Sequence, residues 1–258
     1  MTGKALILTF HGVERGPSPL CISPERFQRH LDDLLEAGVR TLTVSELADA
    51  VRADAVPDLT VAITFDGAVR SAVCEAAPLL AVRDLRATFF CSAGGLGDGG
   101  SRRTSSDTPW LELATASELA QLASGGFEIG SQGFNYEPLV TDDVEVLQRE
   151  ILGSKRILEQ VTSTAVRSFA LRDGASTSRA ARRLLGGAYD AVCTSTPAHV
   201  HRWSHPLALP RVDINYVDSP YLLRLAAEGR GDSYLRLRWL AARARRNVRR
   251  GTHLRRAG

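Results

Sequence analysis

The stretch from Thr60 to Ser71 constrains this chain more than any other. An apolar, β-branched run, Thr60-Val61-Ala62-Ile63-Thr64-Phe65, ends abruptly in Asp66 and Gly67, and an alanine-rich helical pattern follows. The run reads as a strand. It delivers a carboxylate to the turn at its C-terminal edge, which is where α/β proteins place their chemistry. Asp-Gly is also ordinary turn chemistry, so the functional reading depends on what the rest of the chain supplies.

On either side of this stretch, strand and helix patterns alternate with short connections. Ala5 to Phe10 reads as a strand. Ser23 caps a helix with Pro24 at its first position and Phe27, Leu31, Leu34 and Leu35 on one face. A strand is expected over Arg40 to Val44, and a short helix capped by Ser45 after it. Further strands are expected at Ala87–Cys91, Phe127–Ser131, Arg167–Ala170, Ala191–Cys193 and Leu207–Ile214. Helical patterns lie between them, at about 115–124, 141–161 and 178–185, and again from about Pro220 onward. Residues 92–108 turn to Gly, Ser, Asp and Arg, a loop long enough to be a lid or a binding loop, and Trp110 ends it. Successive strand–helix units point to a parallel sheet or a barrel. The expected organisation is one barrel domain over 1–235 and an arginine-rich tail over 236–258.

The 258 residues are 44% hydrophobic and 24% charged, the balance of a soluble globular protein. No segment approaches the ~20 continuous apolar residues that span a bilayer. Met1 to His11 reads as a first strand and not as a secretion signal, so a cytoplasmic address is expected. Cys21, Cys74, Cys91 and Cys193 are far apart and suggest buried thiols rather than a disulfide or zinc framework. The net charge of +3 conceals an asymmetry: nine arginines and no acidic residue lie between Arg236 and Gly258. Setting them aside leaves 23 basic against 29 acidic groups, so the body stands at −6 and the tail at +9. No nucleic-acid partner is expected for the body. The tail has three readings: a solvated helix face, an anchor on an anionic membrane surface, or a nucleic-acid contact.

Several stretches together resemble the polysaccharide deacetylase family, carbohydrate esterase family four. They are Leu8-Thr9-Phe10-His11-Gly12-Val13, Pro24 to Leu47, Ala62-Ile63-Thr64-Phe65-Asp66, Arg86-Ala87-Thr88-Phe89-Phe90, Gly126-Phe127-Glu128-Ile129-Gly130-Ser131 and Leu209-Pro210-Arg211-Val212. The resemblance implies a distorted (β/α)7-type barrel with its site at the C-terminal rim. It also implies a metal-dependent deacetylase, and there the sequence departs from the family. The family's first motif is Thr-Phe-Asp-Asp-Gly, the first Asp acting as base and the second binding the metal. Here Asp66 matches the base, but Gly67 stands at the ligand. The second motif is His-(Ser/Thr)-x-x-His, and here it reads Gln132-Gly133-Phe134-Asn135-Tyr136. A neutral amide is a poor zinc donor, and a phenol with a pKa near 10 must lose its proton before it binds. A catalytic zinc needs three good donors. The third motif reads Ala170-Leu171-Arg172-Asp173-Gly174, without the family's proline and aromatic residue.

The expectation is therefore a site with no metal and no cofactor, acting by acid–base chemistry on a small polar or biosynthetic substrate. Asp66, His11 and Tyr136 are the candidate catalytic residues, with Asp66 and His11 as a base and its partner. Gln132, Asn135, Arg172, Asp173 and Trp110 are candidate substrate contacts. Tyr136 and Gln132 supply donors to a developing oxyanion. Arg172 and Asp173 also read as a pair with each other. The competing reading is a non-catalytic binding or scaffolding protein that uses the old groove, and ordinary deacetylation is the third. His199, His201 and His205 form an H-x-H-x3-H cluster that reads as a new metal site or as part of a loop rich in Pro and Trp.

Overall fold

The computed structural model describes residues 3–16, 18–96, 101–102, 111–172 and 177–241. Seven strands among them run parallel: β1 (Lys4–Phe10), β2 (Thr60–Asp66), β3 (Ala87–Cys91), β4 (Glu128–Ser131), β5 (Ser168–Ala170), β6 (Ala191–Cys193) and β7 (Val212–Asp213). Their order is β6-β5-β4-β3-β2-β1-β7. The sheet curls until one segment reaches both of its edges. Leu209 bonds Val192 and Thr194 beside β6, while Val212 and Asp213 pair with Leu8 and Thr9 of β1. The result is the distorted (β/α) barrel that the family resemblance implies.

Alternation along the strands sorts the side chains into two layers. Leu6, Leu8, Phe10, Val61, Ile63, Phe65 and Phe89 face outward, into the main core beneath the helices. Phenylalanine rings run through this layer, Phe65 stacking on Phe89 at 4.5 Å and on Phe10 at 5.7 Å. Ala5, Ile7, Ala62, Phe90, Ala170 and Cys193 face inward.

Helix α1 (Pro24–Glu36) covers the outer face through Phe27, Leu31 and Leu34, capped by Ser23 as its sequence implies. Helix α2 (Val44–Arg52) packs Val44, Leu47, Ala48 and Val51 into the inner core. Its start corrects the sequence reading. Thr43 is the cap, in a reciprocal box with Glu46, and the strand before it is only Arg40–Thr41. A Thr-x-x-Glu box satisfies two backbone donors at once, so it prevails over Ser45. Ser45 instead gives its hydroxyl to Glu128 at the foot of β4.

The late segment is likewise less regular than expected. Pro206–Ala208 and Ile214–Tyr216 are single 3₁₀ turns flanking a two-residue strand. Residues 101–102, within the long loop, pair as an antiparallel strand with 111–112, just after it. A final helix, described over 232–241, buries Leu235 against the barrel, yet Leu237 and Leu240 stay exposed. No helix among the described residues is long and apolar enough to cross a membrane.

Candidate functional site

Asp66 ends β2 at the C-terminal rim, and alternation turns its side chain inward. Its carboxylate accepts two hydrogen bonds from Arg211, Nη1 to Oδ1 at 2.6 Å and Nη2 to Oδ2 at 3.1 Å. Both side chains are buried, 8% and 3% exposed. Arg211 is pinned because Leu209 and Val212 bond the two edges of the sheet. Its Nε donates to the Thr194 carbonyl at 3.1 Å, and its guanidinium lies over the Phe90 ring. Burial works against the charge of Arg211, but Asp66 more than offsets it, and the pKa stands above its ordinary value. Arg211 is thus a partner of Asp66 that the sequence reading did not name. His11 follows β1 and lines a narrow cavity with Cys21, Arg26, Asn215 and Asp218.

Gln132 follows β4, two strands away, or about 10 Å at ordinary strand spacing. Its backbone continues the ladder to the Cys91 carbonyl. The side chain is 2% exposed, and neither Oε1 nor Nε2 has a hydrogen-bond partner among the described residues. The loop after it is shaped by a residue that the sequence reading missed. Glu150 is fully buried in a π-helical turn (Arg149–Gly153), and its carboxylate accepts from the backbone N–H groups of Phe134 at 2.9 Å and Asn135 at 3.0 Å. The signal was available, since Glu150 falls between Leu147 and Ser154 on the buried face of its helix.

Gly133, at φ +91°, leaves room for that carboxylate. Tyr136 also takes a left-handed backbone, φ +61°. Arg172 holds it there, donating to the Tyr136 carbonyl at 3.1 Å with its guanidinium 5.0 Å from the ring centroid. Asn135 is exposed, and the loop rests on Ala93 and Gly94, which donate to the carbonyls of Gly133 and Phe134. Asp66, Gln132, Tyr136 and Arg172 thus share one rim, with His11 and Asn135 at its margins. Trp110 and Asp173 lie outside the described residues.

The side chains at the family's three ligand positions do not fit a divalent ion. Gly67 offers none and sits at φ +92°. Gln132 offers a neutral amide, and Tyr136 a phenol on a ring faced by a guanidinium. Among the described residues no three His, Cys, Asp or Glu side chains come together as metal ligands. The three clustered histidines turn to different partners. His199 is buried between Asp232 and the Ala226 carbonyl, His201 stacks on Trp203, and His205 accepts from the Leu207 backbone.

A curled parallel sheet with an aspartate at the end of its second long strand defines a deacetylase-type barrel. The family model for polysaccharide deacetylase matches residues 53–189, more than half of the 258, and the chain belongs to that family. Among solved structures it is similar to the deacetylase PplD of Streptococcus pyogenes in complex with acetate. The two are 20% identical with a TM-score of 0.74, over 90% of this chain and 100% of that one. It is also similar to IcaB from Ammonifex degensii, at 22% identity and a TM-score of 0.71, over 87% and 97%. The deacetylase domain of BpsB from Bordetella bronchiseptica matches at 16% identity and a TM-score of 0.66, over 81% and 95%. At these identities the likeness is one of fold. No curated protein matches the chain by sequence.

Proposed function

We propose that the barrel rim is a working site for a small polar molecule, on which Asp66 acts by acid–base chemistry in place of the family's metal-assisted hydrolysis. One observation carries this reading: a buried ion pair and a buried, unpartnered amide sit together at the rim. Desolvating a pair such as Asp66–Arg211 is costly. Leaving the Gln132 amide unsatisfied costs about 1–3 kcal/mol more. A molecule presenting an adjacent donor and acceptor would satisfy both amide atoms.

In this reading Arg211 orients Asp66, which is the acid–base group of the site. Gln132 and the Tyr136 phenol supply donors where negative charge develops. Arg172 sets the position of Tyr136, while His11 and Asn135 contact substrate at the margins. No cofactor is invoked. A cytoplasmic address fits a small biosynthetic substrate better than a wall polymer.

A second reading, a non-catalytic binding protein, is favoured by the occupation of both Asp66 oxygens by Arg211. Thermal-shift screening against a panel of polar metabolites, followed by NMR of each hit for turnover, separates the two. The enzyme reading expects a hit that is converted by the wild type and bound but unconverted by Asp66→Asn. A hit bound equally by both and converted by neither supports the binding protein, and a panel that shifts neither protein contradicts both readings.

A further inference from the structure

The helix over 232–241 is fastened to the barrel along one side only. Leu235 is 1% exposed in the main core. Tyr234 donates its hydroxyl to the Tyr216 carbonyl at 2.8 Å. Arg238 donates to the Asn215 carbonyl at 3.2 Å and packs on the rings of Tyr216 and Tyr234. At its start Asp232 is held by Lys4, the first residue of β1, and by His199. The helix therefore runs from the base of the barrel toward Asn215, at the rim.

Its other side points away from the protein. Leu237 is 67% and Leu240 48% exposed, a pair three residues apart on one face, with Arg236 exposed beside them. In sequence the same spacing continues through Ala241, Ala244 and Val248, flanked by Arg243, Arg245, Arg246, Arg249 and Arg250. An apolar stripe bordered by arginines is the pattern of a helix that lies in a membrane interface. A solvated helix face has no need of two exposed leucines, and a nucleic-acid contact made through phosphates has none either.

We propose that the exposed face of the 232–241 helix docks the protein on an anionic lipid bilayer, with Leu237 and Leu240 entering the interface and the arginine-rich sequence from Arg236 onward supplying the attraction to the headgroups. Charge complementarity supports that partner. The nine arginines from Arg236 onward carry +9, whereas the remaining chain carries −6 and is repelled by an anionic surface. The positive charge is thus concentrated in the C-terminal sequence that follows the exposed leucines.

Co-sedimentation of the full chain with vesicles tests this, comparing pure phosphatidylcholine with a mixture containing phosphatidylglycerol. The expected result is binding to the anionic vesicles only, weakened at least about tenfold by high salt because exposed charges are screened. The double variant Leu237→Glu/Leu240→Glu, with its melting temperature checked against the wild type, is expected to lose a further factor of about ten through lost apolar insertion. No binding to anionic vesicles would overturn the proposal. So would equal binding by the double variant, or displacement from vesicles by a short RNA that the variant binds as tightly as the wild type.

Discussion

A Cβ atom placed on Gly133 would stand 2.7 Å from Oε2 of Glu150, closer than real side chains approach. The glycine and the carboxylate are therefore one device. Glu150 gathers the N–H groups of the loop, and Gly133 supplies both the space and the left-handed turn. Gly133→Ala is expected to destabilise the protein by about 1–3 kcal/mol through strain at φ +91° and the clash. Glu150→Gln, which presents an amide nitrogen to backbone donors, is expected to cost about 1–3 kcal/mol. Combined, the two losses should fall short of their sum, because both act on the same contacts. Urea denaturation of the three variants checks this; full additivity would mean that the residues act separately.

The Asp66–Arg211 pair behaves differently from a surface ion pair because both partners are almost wholly buried. Arg211→Leu leaves a buried carboxylate without its cation and is expected to destabilise the fold by about 3–5 kcal/mol. Asp66→Asn/Arg211→Leu removes both charges and should recover much of that loss. Thermal melts of the single and double variants decide it, and a single variant as stable as the wild type would show that the pair does not exist in solution.

Gln132 gives a prediction of opposite sign. An amide with two unpartnered buried atoms weakens the fold, so Gln132→Leu should stabilise the protein by about 1 kcal/mol while abolishing the response to any polar metabolite that shifts the wild type. A less stable variant that still responds would show that Gln132 is bonded internally and does not face the ligand.

His30 sets a pH dependence of its own. Burial, with help from Arg26 and Arg29, pushes its pKa down to about 4, although Asp33 opposes them. Its Nε2 bonds Asp218, which Arg26 also holds. A histidine whose folded pKa lies below its unfolded value is protonated more readily when unfolded. Its contribution is therefore present above about pH 6.5 and is lost as the pH falls toward 4. Melting curves across this window should show a decline that is shallower in His30→Leu. Parallel declines in the two proteins would assign the acid sensitivity to other groups.

How much of this was legible in the sequence follows from the range of each interaction. The strand ending in Asp66 declares itself because burial on both faces leaves a continuous apolar run. The cap on α1 is local, and Ser23-Pro24 states it. The start of α2 is local too, but two candidate caps lie two residues apart and only the Glu46 box separates them. Arg211 is 145 residues from Asp66 and meets it only when the sheet curls. In the sequence it shows as a charge between Pro210 and Val212, in the stretch that resembles a late strand of the family. Glu150 is nearer to its loop, yet a glutamate in an amphipathic helix ordinarily faces solvent. Only its phase relative to Leu147 and Ser154 places it inside.

The central claim is that this deacetylase barrel works without the metal its family uses. The most direct measurement is elemental analysis of the purified full chain after incubation with zinc and gel filtration, with acetate release from N-acetylglucosamine oligomers assayed on the same sample. The account predicts far less than one zinc per chain and no acetate above the protein-free control. One tightly held zinc per chain together with acetate release that a chelator abolishes would contradict it.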